Sequence, residues 1–153
     1  MVFDLDFTLW DAGGTWCDHT TPPYSRVNAH IEDAEGRLIL LYPEVREILD
    51  ELSSAGIPLA VASRTYSPET AHHFMELFGI RKFFEYEEIY PSSKVKHFSS
   101  LQAQTGIPFD RMYFFDDEPR NIQEVGDLGV NVYAVNNGLT RTLLEDLPTI
   151  SNQ

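Results

Sequence analysis

Met1-Val2-Phe3-Asp4-Leu5-Asp6 opens the chain, and Met112-Tyr113-Phe114-Phe115-Asp116-Asp117 lies far downstream; together they decide the fold. Each is a short apolar run that ends in aspartates. Runs that are apolar throughout, rather than alternating, suit strands buried on both faces of a sheet. Two more belong with them, Pro58–Ala62 (PLAVA) and Val130–Val135, and Phe83–Ile89 reads as a further strand.

Helical patterns separate these runs. From Pro43 to Ala55, Val45, Ile48, Leu49 and Leu52 recur at helical spacing, with Pro43 at the start and Gly56 at the stop. Thr65 or Ser67 can cap a helix that reaches about Phe78 before Gly79. Val95–Gln104, Arg120–Leu128 and Leu139–Leu147 read as three more. Alternation of strand and helix predicts an α/β fold, a doubly wound parallel sheet with helices on both faces. The stretch from about 9 to 41 breaks the pattern. Gly13-Gly14, Pro22-Pro23 and a turn at Asp33–Gly36 occur in it, and Val27–Ile31 can pair with Arg37–Leu41 as a hairpin. We read it as a small flap within one domain spanning residues 1–153, not as a second domain.

Composition narrows the function. Eleven Lys and Arg against 24 Asp and Glu give a formal charge of −13. Without a basic run, such a chain repels the nucleic-acid backbone, so no nucleic-acid partner is expected. Nothing approaches the roughly 20 apolar residues of a membrane span, and no signal peptide is read. The single cysteine, Cys17, forms no intramolecular disulfide, which suits the cytoplasm or nucleus. A small domain without a large cap is expected to be a monomer.

In a doubly wound sheet the ligand lies beyond the carboxyl ends of the strands. The polar residues there are Asp4 and Asp6 after the first run, Ser63 and Arg64 after the second, and Asp116 and Asp117 after Met112–Phe115. Lys94 opens the helix that follows Phe83–Ile89. Several carboxylates in one place repel one another, and a hard divalent cation such as Mg²⁺ resolves this. A lysine and a hydroxyl beside them suit a phosphoryl group. Asp4 and Asp6 are two apart, so an extended chain turns both to one side. Asp4 can then attack phosphorus while Asp6 moves the proton.

Each residue alone has an ordinary explanation. An aspartate pair caps helices, a serine sits in turns, and a lysine is solvated. His19, His30, His72, His73 and His97 lack a metal-ligand pattern, although His19 in the flap can meet substrate; Trp10 reads as packing, and Trp16 suits packing and substrate contact equally. Cys17 carries no sign of an activated thiol. A phosphoacceptor signalling domain would also use acidic residues, Mg²⁺, a hydroxyl and a lysine. It would not gain from Asp6, whose acid/base role drives turnover. A module that only binds a phosphorylated partner is the third reading.

The motifs resemble the haloacid dehalogenase (HAD) superfamily of phosphatases. DLDFT at Asp4–Thr8, Ser63 in ASRT, Lys94 in SSK and FFDDE at Phe114–Glu118 look like its four motifs in order. LYPEV, MELFGI, EIYPSSKVKHF, TGIPF and VGDLGV extend the likeness to the magnesium-dependent phosphatase-1 family, over Val2 to about Leu147. The resemblance implies a Rossmann-like core without a large cap, and Mg²⁺ as cofactor. It implies Asp4 as nucleophile and metal ligand, and Asp6 as acid/base that offers its backbone carbonyl to the metal. Asp117, ahead of the adjacent Asp116, would be the metal residue of that pair. Ser63 and Lys94 would hold the phosphoryl group, with Arg64 touching substrate. The substrates implied are phosphomonoesters of the protein phosphotyrosine or the sugar and glycated-amine type.

Overall fold

A computed structural model describes residues 1–145 and 147. Five parallel strands form the central sheet. They are β1 (Val2–Phe3), β6 (Ala60–Ser63), β7 (Tyr86–Ile89), β8 (Tyr113–Asp116) and β9 (Asn131–Ala134), in the order β7-β6-β1-β8-β9. Although β1 has two residues, it is central, with Val2 opposite Ala60 and Phe114, and Phe3 opposite Val61 and Phe115.

Alternate side chains of each strand feed opposite faces, as the pleat requires. Phe3, Val61 and Phe115 enter one buried cluster with α1 (Val45–Ser54), α2 (Pro68–Leu77) and Leu144 of α5 (Thr142–Glu145). Val2, Ala60, Ala62 and Phe114 enter the other, against Phe98 and Leu101 of α3 (Lys94–Thr105) and Val125 of α4 (Pro119–Gly126). Both faces are thus covered by helices, as a parallel sheet requires. In α1 the four residues that fix the helical register, Val45, Ile48, Leu49 and Leu52, are all buried. Gly106 ends α3 with φ 71°, a left-handed conformation that costs glycine least.

The segment after β1 builds a second, antiparallel sheet. Its strands are β2 (Trp10–Asp11), β3 (Ser25–Val27), β4 (His30–Glu32) and β5 (Leu38–Leu41), in the order β2-β5-β4-β3. The expected hairpin is present between β4 and β5, with Ile31 opposite Ile39. Val27–Ile31, however, is not one strand. Asn28, at φ 56°, turns the chain so that Val27 pairs with His30. Asparagine tolerates that conformation, and the short turn falls inside what reads as a continuous run. Ile31 and Ile39 pack into the same cluster as Phe3 and α1.

Strand and helix bounds elsewhere agree with the sequence to within a few residues, the widest differences being at Phe83–Ile89 and in the last helix. Arg81–Phe83 forms a 3-10 turn and the strand begins at Tyr86. Of the helix expected over 139–147, the structure shows Thr142–Glu145, while residue 146 lies outside the described residues, as do 148–153. Among the described residues no helix is long and apolar enough to cross a membrane.

Phe3 is fully buried, stacks on Phe115 at 5.1 Å between centroids and meets Phe84 edge-on at 6.4 Å. Phe3→Ala should cost about 3–5 kcal/mol in urea unfolding. A loss under about 1 kcal/mol would contradict a tightly packed central strand.

Candidate active site

The chain runs from β1 to β6 and β7 on one side of the sheet, then returns through α3 to β8 on the other side of β1. A crevice opens at such a reversal, beyond the strand carboxyl ends. Asp4, Asp6, Ser63, Arg64, Lys94 and Asp117 line a cleft of about 530 Å³ there. Asp116 is fully buried, 3.2 Å from the Lys94 Nζ that reaches the cleft. All seven expected residues therefore come to one place.

Lys94 is the hub. Its side chain is fully buried, and Nζ lies 3.0 Å from Asp4 Oδ1 and 3.2 Å from Asp116 Oδ2. It also donates to the carbonyl of Ala62. Burial alone would lower the ammonium's pKa, but Asp4 and Asp116 overcome this and hold it above its ordinary value. Two carboxylates and a carbonyl thus surround the ammonium.

Asp4, Asp116 and Asp117 each bring a carboxylate oxygen within 4.8 Å of the others. Burial, and then the charge of Asp4, pushes both Asp116 and Asp117 above the usual carboxylate range. Such a group of hard oxygen donors fits Mg²⁺, which would relieve the repulsion that one lysine only partly offsets. The two neighbours are not equivalent. Asp116 is already engaged: Oδ1 accepts from the Glu118 N–H at 2.8 Å, and Oδ2 accepts from Asn121 Nδ2 at 3.0 Å. Asp117 faces the cleft.

Asp6 is separate from this group. Its Oδ1 accepts hydrogen bonds from Trp10 Nε1 at 2.7 Å and from the Cys17 N–H at 2.9 Å. Burial pushes the Asp6 pKa up to about 7, with the charge of Asp4 adding and the Trp10 and Cys17 hydrogen bonds opposing. Phe7, at φ 63°, turns the chain between the two motif aspartates and Trp10, and its N–H donates to Trp10 O at 2.7 Å.

Sequence reasoning missed several partners. Thr8 Oγ1 donates to Asp4 Oδ2 at 3.3 Å. Asn121 Oδ1 accepts from Arg64 Nη1 at 3.1 Å, while its Nδ2 holds Asp116, so one buried amide links two motifs. Trp10 packs, as expected, but also holds Asp6. Trp16 and His19, both open to substrate contact from the sequence, line the cleft, and so do Tyr66, Asp18 and Glu118, which the sequence did not single out. Trp16 is 48% and Tyr66 80% exposed, so both leave their rings open to a ligand. Among the histidines, His72 does have an acidic neighbour, Glu87 at 3.6 Å, which the sequence distance of 15 residues conceals.

A family model described as "Acid Phosphatase" matches residues 1–148. Human "Magnesium-dependent phosphatase 1" is 46% identical over 98% of this chain and 85% of that protein. A HAD-like hydrolase superfamily protein of Schizosaccharomyces pombe is 37% identical over 85% of this chain and 81% of its own. Among solved structures, a Listeria monocytogenes protein superposes with TM-score 0.69 at 18% identity, over 96% of this chain and 83% of that one. The phosphatase-domain-containing N-terminal part of a Bacteroides fragilis protein, complexed with Mg, gives TM-score 0.65 at 21% identity, over 89% of this chain and 35% of that one. At such identities these two speak for the fold alone. The chain belongs to the acid phosphatase family, and within it to the HAD-superfamily phosphatases of the magnesium-dependent phosphatase-1 type.

The helix that presents Lys94 is anchored behind the site. Glu88 Oε1 accepts from Ser100 Oγ and Gln104 Nε2, both at 2.6 Å, tying α3 to β7. His97 is fully buried, with Nε2 3.0 Å from Tyr90 O and no partner for Nδ1 among the described residues. Burial, then the Lys94 charge, lowers its pKa from 6.5 to about 4. The folded state therefore keeps His97 neutral, while the unfolded chain takes up a proton below about pH 6.5. Its contribution is intact above that pH and is lost as the pH falls toward 4. Between pH 7 and pH 4.5 wild type should lose on the order of 2 kcal/mol more than His97→Gln in urea unfolding. Parallel pH profiles would contradict this.

Proposed function

We propose that this chain is a Mg²⁺-dependent phosphomonoester hydrolase that works through a phosphoaspartyl intermediate on Asp4. The observation that carries the reading is the buried Lys94 ammonium, 3.0 Å from Asp4 and 3.2 Å from Asp116. It offsets charge beside a carboxylate at the end of the central strand, where a phosphate dianion would otherwise be repelled by an acidic protein.

An Asp4 oxygen attacks phosphorus, the ester P–O bond breaks, and Asp6 gives its proton to the departing oxygen. Water then attacks the phosphoaspartate, and Asp6 takes up its proton. Inorganic phosphate leaves and Asp4 is restored. A carboxyl raised to about 7 can serve in both directions near neutral pH. Lys94, the Ser63 hydroxyl and Arg64 hold the phosphoryl oxygens. Asp4, Asp117 and the Asp6 backbone carbonyl would hold Mg²⁺, with Asp116 beside them. The ion supplies charge neutralisation for the oxygens around phosphorus. Asp116, already committed to Lys94, Asn121 and the Glu118 N–H, serves as a support for the others.

Residues 9–41 act as a flap inside one domain, so the leaving group projects into open space between Trp16 and Tyr66. That mouth suits protein phosphotyrosine and the phosphates of sugars or glycated amines. The activity is that of a monomer in the cytoplasm.

With an aryl phosphate and Mg²⁺, turnover should stop on adding EDTA and return with excess Mg²⁺. Asp4→Asn should keep less than about one-thousandth of the rate. Asp6→Asn should still bind substrate but slow both half-reactions roughly a hundredfold or more. A normal rate in Asp4→Asn would show that another group attacks phosphorus.

A further inference from the structure

Trp10 does more than fill the core. Its indole is fully buried between Phe74 and Phe78 of the α2 region, at centroid distances of 5.6 and 6.1 Å. A buried indole N–H requires an acceptor. Here that acceptor is a carboxylate oxygen of Asp6, at 2.7 Å. The same oxygen takes the Cys17 backbone N–H at 2.9 Å, so donors from two segments converge on it.

Local geometry makes this possible. After Asp6 the chain turns back on itself, with Thr8 N and Leu9 N donating to Leu5 O at 3.0 and 2.8 Å. Phe7 adopts its left-handed φ of 63°, and Asp6 and Trp10 form an isolated bridge. A non-glycine residue held there costs free energy that must be met by surrounding contacts. The turn aims the indole N–H at Asp6, and the aromatic packing fixes its direction.

We propose that Trp10 is a positioning residue for proton transfer. Its N–H fixes the Asp6 carboxyl in one orientation, so that the proton passes to the leaving oxygen, and later from water, without reorganisation. The proposal rests on the reading of Asp6 as acid/base. It predicts that Trp10 acts on rate and not on substrate affinity, and only through Asp6.

The test is a double-mutant cycle with Trp10→Phe and Asp6→Asn, assayed with p-nitrophenyl phosphate and an alkyl phosphate under Mg²⁺. Trp10→Phe keeps an aromatic ring and removes the N–H. We expect kcat to fall roughly tenfold to a hundredfold with KM nearly unchanged. We expect the larger loss with the alkyl phosphate, whose leaving group needs the proton more. In the Asp6→Asn background the same change should have almost no further effect. An equal loss in both backgrounds, or a wild-type kcat, would overturn the proposal. A wild-type rate in Asp6→Asn would instead overturn the acid/base reading beneath it. If Trp10→Phe does not fold, Trp10 can be replaced by its benzothienyl analogue, where sulfur stands for N–H in the same ring shape. The same fall in kcat would then support the proposal, and a wild-type kcat would overturn it.

Discussion

A fully buried ammonium between two carboxylates, Lys94 with Asp4 and Asp116, is the constraint on which the rest of the structure depends. Taking an unpaired ammonium out of water costs several kcal/mol, so each partner is required in place. Asp4 directly follows β1, Asp116 ends β8, and the third acceptor, Ala62 O, lies in β6. The lysine itself opens α3. One side chain therefore ties three neighbouring strands and a helix together at the sheet edge. Three of the four motif segments cannot shift apart without stranding a charge.

That edge was largely legible in the sequence because its chemistry is local. An apolar run followed by a polar residue marks a strand end, and Asp4, Asp6, Ser63, Arg64, Asp116 and Asp117 all follow such runs. The pleat explains why: Val2 and Phe3 feed opposite cores, leaving the next residues at the open end. What the sequence hid lies in contacts between segments. Asn121 reads as a residue inside a helix, yet its amide joins Arg64 to Asp116. Trp10 reads as core, and it is, but its N–H is spent on a carboxylate four residues back. Asn28 hides a turn inside Val27–Ile31, because asparagine accepts a left-handed backbone without the marker that glycine would supply.

The segment between β1 and α1 belongs to the site as much as the central sheet does. Trp10 and the Cys17 N–H reach Asp6 from it, and Trp16, Asp18 and His19 line the cleft. Ile31 and Ile39 root it in the same core as Phe3 and α1. The charge of −13 sharpens what the cleft must do. A phosphate dianion approaches a repulsive surface, and in the proposed reaction Lys94, Arg64 and a divalent cation are what reverse the local field.

The proposed covalent transfer to the carboxylate beside Lys94 is the step to catch directly. Protein mixed with substrate and Mg²⁺ can be quenched in acid, reduced with borohydride and digested for mass spectrometry. Reduction turns a phosphoaspartate into homoserine, so homoserine is expected in place of Asp4 and at no other aspartate. Homoserine elsewhere, or none in protein that is turning over, would contradict it.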